Sequence, residues 1–323
     1  MKEFSYKDIA KLAKVSITTV SRFFNGGYVS ADKRQRIAEV SKDYGYRPKN
    51  SSKLSKSKDN VIFVIVPEWM KSSHFHIIHG LEQGSIKKEM RTVITYAPNS
   101  IKEYLDTVKF MVQFKPSAML FFLPNLPNVD PILNYIKNNI KSISTFIFGK
   151  EYEGINSAII DYESAFYQLT KAYLNVKEEN EKIVYVEDKN LTSIEKAERY
   201  AGFLKASEEF DIAVQKISVN PSKIEEINGL IKTFRNNNLV NVVCSSHDVF
   251  LALITSGDRN IRLTDIDKPS VYDKLEKYKL KIFIDYVLIG LYIKRMIQTN
   301  ILDGSKYNYR YTPKIIVPRK YKY

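Results

Sequence analysis

The chain begins with three short stretches of helical period and then changes rhythm. In the first, Ser5 precedes Asp8 by three positions, the spacing of a capping box, and Ile9, Leu12 and Ala13 form an apolar stripe. The second starts near Ser16, places Ile17, Val20 and Phe24 on one helical face, and stops at Asn25-Gly26-Gly27. The third starts at Ser30, carries Ile37, Val40 and Tyr44, and ends at Gly45, with Pro48 barring continuation. A tight turn at Lys14-Val15-Ser16 makes the first two helices a helix-turn-helix.

From residue 60 the pattern becomes that of buried strands. Val61-Ile62-Phe63-Val64-Ile65-Val66 is an unbroken apolar run, as in a parallel sheet covered on both faces. Further strands are predicted at 92–96, 118–123, 144–148, 182–187, 213–219, 240–245 and 261–264. Helical periods fall between them at 76–89, 102–114, 131–138, 163–177, 194–210 and 222–236, and a helix at 287–299 and a strand at 312–317 follow. This alternation predicts a doubly wound α/β body. Residues 49–59 are rich in Lys and Ser and read as a solvated linker or hinge, and residues 306–323 as a basic, Tyr-rich solvated end.

Charge sharpens the division. The 323 residues carry a net +14, and residues 1–60, with 14 Lys/Arg and 6 Asp/Glu, hold +8 of it. A basic N-terminal module implies a polyanionic partner. The single cysteine, Cys244, rules out an intrachain disulfide. The apolar stretch 282–293 contains Asp285 and is shorter than the ~20 residues of a membrane span, and no signal segment is visible, so a cytoplasmic protein is expected.

The chemistry of the second helix suits a major groove. Ser16 can meet a phosphate at the helix start, Ile17 a thymine methyl, Thr18 a base edge, and Arg22, one turn on, the paired acceptors of guanine. The string Asp8-Ile9-Ala10, Val15-Ser16, Thr19-Val20-Ser21-Arg22, Asn25, Val29-Ser30, Arg34, Arg36 and Gly45-Tyr46-Arg47-Pro48 resembles the LacI/GalR family of bacterial transcription repressors. The resemblance implies a three-helix headpiece (1–47), a hinge (48–59) and a periplasmic-binding-protein-like body (60–323). The body's two doubly wound subdomains would be about 60–160 plus 286–310 and about 161–285 plus 311–323. It also implies a homodimer on a pseudo-palindromic double-stranded operator. The DNA-contacting residues would be Ser16, Ile17, Thr18, Thr19, Ser21, Arg22, Asn25, Tyr46, Lys53, Leu54 and Lys56. The hinge departs from the family pattern: counted strictly, the minor-groove leucine falls on Ser55, with Leu54 one position early.

In the body the resemblance places a small-molecule, sugar- or nucleoside-like effector between the subdomains. Phe75, Asp161, Arg199, His247, Asp248 and Asp265 are its candidate contacts, with Asp267 an alternative to Asp265. Arginine offers a planar fork of donors and aspartate accepts hydroxyl hydrogens. Arg199 also reads as one more charge on an amphipathic helix, and Asp248 as a helix cap. His74, His76 and His79 cluster without a further ligand, so no metal is assigned; a polar cleft edge or a solvated loop are the other readings. No nucleophile elbow or phosphate loop is present, so neither an enzyme nor a cofactor is expected. The alternative to an effector-controlled repressor is a regulator with a decayed cleft, governed by a partner protein or by its abundance.

Overall fold

The computed structural model describes residues 5–24, 27–43, 61–68, 70–83, 90–175, 182–255, 261–268 and 278–317. Asn25, Tyr46, Lys53, Leu54 and Lys56 lie outside the described residues.

Three helices come first: α1 (Tyr6–Leu12), α2 (Ile17–Phe24) and α3 (Ala31–Asp43). Ile9, Ala10, Ala13, Val20, Val29 and Ile37 form a small core of their own, with Tyr6, Val15, Phe23, Phe24 and Val40 packed on it. Leu12, expected in the stripe, is 44% exposed instead.

The body holds two six-stranded sheets. Its elements are β1 (Val61–Pro67), α4 (Ser72–Gln83), β2 (Arg91–Ala97), α5 (Ile101–Val112), β3 (Ala118–Phe122), α6 (Asp130–Asn139), β4 (Ser144–Phe148) and β5 (Asn156–Ile160). Then come α7 (Tyr162–Leu174), β6 (Ile183–Asp188), α8 (Ser193–Glu209), β7 (Val214–Val219), α9 (Ile224–Asn237), β8 (Asn241–Cys244), α10 (His247–Ile254) and β9 (Arg262–Ile266). The chain closes with β10 (Tyr278–Phe283), α11 (Tyr286–Asp303), β11 (Asn308–Tyr311) and β12 (Lys314–Ile316). One sheet has the order β11-β5-β4-β3-β1-β2, the other β12-β10-β9-β8-β6-β7. Every pairing is parallel except β10 with β12. The chain passes between the halves three times, after β5, β10 and β11, which sets two sheets side by side with a seam between them.

Several elements differ from their sequence expectation. α4 starts at Ser72 rather than at 76, so His74 and Phe75 are helical. β10 was not predicted: Tyr278-Lys279-Leu280-Lys281-Ile282-Phe283 alternates with lysines, yet Lys281 is fully buried because Asp265 pairs with it. The stretch expected as a solvated end also supplies β11, a short polar strand at the edge of the first sheet, while β12 falls within the strand predicted at 312–317 and edges the second. Among the described residues no helix is long and apolar enough to cross a membrane.

Candidate functional site

The headpiece presents α2 outward. Asp8 accepts from the Ser5 amide at 2.8 Å and from its hydroxyl at 2.6 Å, fixing the start of α1. Lys14 takes a left-handed conformation (φ 50°), and the Val15 amide donates to the Ala10 carbonyl at 3.0 Å, which makes the turn tight. Val20 is fully buried and the Phe24 ring stacks on Tyr6 at 5.4 Å, so the opposite face of α2 meets solvent. Ser16, Ile17, Thr18 and Arg22 are exposed there, with Thr19 and Ser21 half-buried. Ile17 is 51% exposed, an apolar group left in water on the first turn. The Ser16 hydroxyl caps α2 by accepting from the Thr19 amide at 3.1 Å, which leaves the first helical N–H groups for an outside acceptor.

A second site lies across the seam. A cleft of about 700 Å³ opens between the ends of β1, β3 and β4 on one side and the start of α8 on the other. Ligand sites in open α/β sheets favour the carboxyl ends of strands. Its floor is aromatic: His74 lies 4.5 Å from Phe122, and Phe122 lies 5.3 Å from Phe148, between ring centroids. Burial, with the nearby Lys71 charge, lowers the His74 pKa to about 4, so this imidazole is neutral at pH 7. Amides, hydroxyls and carboxylates form the walls, among them Asn125, Asn128, Thr192, Ser193, Glu68 and Glu198.

Each lysine that lines the cleft already holds an acid. Lys71 meets Glu195 at 2.7 Å, Lys150 meets Asp130 at 3.0 Å, and Lys189 meets Glu226 at 2.8 Å. Burial acts to raise the Glu195 pKa, but Lys71 and Arg199 outweigh it and hold the carboxyl at about 2.

The effector residues expected from sequence surround this cleft without lining it. Phe75, on α4, points away and is 59% exposed; one helical step turns His74 inward instead. Asp161 caps α7, accepting from the Ser164 amide at 3.1 Å, and its neighbour Tyr162 lines the cleft. Arg199 is 5% exposed and occupied: it donates to the Ser245 carbonyl and to Glu195, and it stacks on the Tyr162 ring at 4.1 Å. His247 Nδ1 lies 2.8 Å from Asp265, which is fully buried and paired with Lys281 at 2.9 Å, while Asp267 lies 3.7 Å from His247 Nε2. Burial works against charge on His247, but the Asp265 hydrogen bond and the two carboxylates raise its pKa. Asp248 is exposed on α10, whose cap is Ser246 rather than Asp248. Arg199 and Asp265 are thus buried and engaged by protein partners, while His247 is half-buried.

Lys71, Phe122, Phe148, Tyr162 and Glu195 were not expected as cleft contacts, whereas a polar cleft edge was one reading of the cluster that holds His74. A signal existed for two of them, since Phe122 and Phe148 end β3 and β4, where the topology puts ligands. Of the three clustered histidines, His76 faces Lys268 at 2.9 Å and His79 faces Gln83 at 2.8 Å. Among the described residues no group of three His, Cys, Asp or Glu is placed to hold a metal.

The family model described as bacterial regulatory proteins, lacI family, matches residues 5–49. Catabolite control protein A of Staphylococcus xylosus is 26% identical over 167 residues, covering 51% of this chain and 50% of that protein. The HTH-type transcriptional regulator RegA of Clostridium saccharobutylicum is 24% identical over 264 residues, covering 78% of this chain and 76% of its own length. The alignment therefore spans about half of the first of these relatives and three-quarters of the second. The lac repressor dimer bound to operator and the anti-inducer ONPF shares the fold over 98% of both chains, with a TM-score of 0.71 and 16% identity. The transcriptional regulator CelR in complex with cellobiose shares it over 98% of this chain and 99% of that one, with a TM-score of 0.63 and 17% identity. The headpiece thus matches the model of the lacI family of bacterial regulatory proteins, and the two-sheet body has the fold of the lac repressor.

Proposed function

We propose that this protein is a sequence-specific DNA-binding transcription regulator that acts as a repressor. It binds as a homodimer to a pseudo-palindromic operator, and a small molecule in the cleft adjusts its affinity. The observation that carries this reading is the outward face of α2, where Ile17, Thr18 and Arg22 are exposed while Val20 anchors the helix. A helix held this way can lie in a major groove with its first turn at the base edges. The basic N-terminal segment supplies the sequence-independent attraction.

The cleft supports an uncharged, hydroxyl-rich effector. Its lysines are already paired, which argues against a phosphate or a free carboxylate as the main handle. Its aromatic floor and amide-rich walls suit a sugar or nucleoside face with hydroxyls around the edge. An open cleft of about 700 Å³ favours this over a regulator whose cleft has decayed.

The test is binding to duplexes enriched from a random pool, followed by titration with neutral sugars and nucleosides. Sequence-selective binding that one of these ligands shifts supports the reading. Selective binding that none of them changes favours the decayed-cleft alternative, and non-selective binding contradicts the regulator itself.

A further inference from the structure

Two polar contacts cross the seam near the start of α4. Lys71 Nζ donates to Glu195 Oε2 at 2.7 Å, and Lys268 Nζ lies 2.9 Å from His76 Nε2. They differ in kind. Glu195 is held ionised, so the first is a full ion pair, with side-chain exposures of 37% and 18%. In the second, burial and the Lys268 charge lower the His76 pKa, so that contact is a hydrogen bond between a lysine and a neutral ring.

The two ends of the ion pair are anchored unequally. Glu195 is built into its own half: the Thr192 amide and hydroxyl each donate to it at 2.9 Å, and Arg199 Nη2 donates at 3.2 Å. Lys71 reaches across from the segment leading into α4 and has Glu195 as its acid partner. Both residues line the cleft, so a solute there meets the tie directly.

We infer that the Lys71–Glu195 pair is the latch of the cleft. It holds the two halves together when the cleft is empty, and a ligand whose hydroxyl or carbonyl oxygens reach Lys71 exchanges the latch for contacts to itself. This rests on the effector reading above and names how that site is coupled to the rest of the molecule. Lys71 is the positioning residue, because Glu195 keeps its other three donors when Lys71 lets go. A ligand can shift the arrangement only through contacts that differ between the two states, and the latch is such a contact.

The experiment uses the full chain with spin labels at Glu153→Cys and Lys223→Cys, whose native side chains are 97% and 61% exposed in opposite halves. Cys244 is buried and stays unlabelled. The inter-label distance is measured for the otherwise native chain, Lys71→Met, Lys71→Arg and Lys268→Met, with the unfolding midpoint as a check on folding. The latch predicts one narrow distribution, broadened to longer distances by Lys71→Met, restored by Lys71→Arg and little changed by Lys268→Met. It also predicts that Lys71→Met shifts affinity for a selected duplex by about fivefold or more. An unchanged distance distribution in folded Lys71→Met overturns the latch, and a changed distribution with unchanged duplex affinity overturns its coupling to DNA. If no duplex is selected at all, the regulator reading fails while the distances still decide the latch.

Discussion

Gly80 on α4 and Gly290 on α11 meet so closely that neither can carry a side chain. A Cβ on Gly80 would lie 2.0 Å from the Val287 carbonyl oxygen, and one on Gly290 would lie 2.0 Å from that of Ile77. This contact fixes α4, and with it Lys71 and His74, to the long helix that begins where the chain re-enters the first half. Gly290→Ala must push two backbones apart, which no rotamer relieves. It is expected to cost about 3 kcal/mol, at the upper end of overpacking effects, read by urea denaturation. A loss under 1 kcal/mol would mean that the helices separate freely.

Arg22→Ala is expected to cost about 1–3 kcal/mol at the operator and to relax base preference at one position in each half-site. Val20 holds the helix, so the headpiece should remain folded. Equal losses on operator and random duplexes, measured by fluorescence anisotropy, would assign Arg22 to the phosphates instead.

Arg199→Ala tests the engagement of that residue by protein partners. Its removal takes donors from Glu195 and from the Ser245 carbonyl, both largely buried. With Lys71 still pairing Glu195, a stability loss of about 1–3 kcal/mol is expected, as for buried acceptors that lose a donor. A variant as stable as the native chain, with only ligand binding impaired, would restore the direct clamp expected from sequence.

The histidines give opposite pH dependences. His74 falls from an ordinary 6.5 to about 4, so between those values the unfolded chain binds the proton that the folded chain refuses. Stability therefore decreases as pH drops through that window, and His74→Gln should flatten the decrease. His247 is raised, so its contribution is complete below its ordinary value of 6.5 and is lost as pH rises through the raised one. His247→Gln should remove that loss. Unfolding midpoints from pH 4 to 8 decide both, and parallel curves for all three proteins would contradict the assignment.

The headpiece was legible because its helices are local: a capping box, a left-handed turn and one buried stripe suffice. The strands of the body were legible as apolar runs. β10 and β11 were not, since their polar residues are paired only across the fold, as Lys281 is with Asp265. The cleft was legible in location and not in residues. Arg199, His247 and Asp265 have the right chemistry for a ligand, but each is spent on a partner that only the tertiary structure brings near. Phe122 and Phe148 resemble any core aromatic until their strand ends are seen to face the seam.

The most direct test of the central claim is selection of bound duplexes from a random pool by the purified full-length protein at physiological salt. The account predicts an imperfect palindrome with half-sites about one helical turn apart, and loss of the enriched bases with Arg22→Ala. Retention of DNA without any enriched sequence would leave only charge attraction and would contradict an operator-reading dimer.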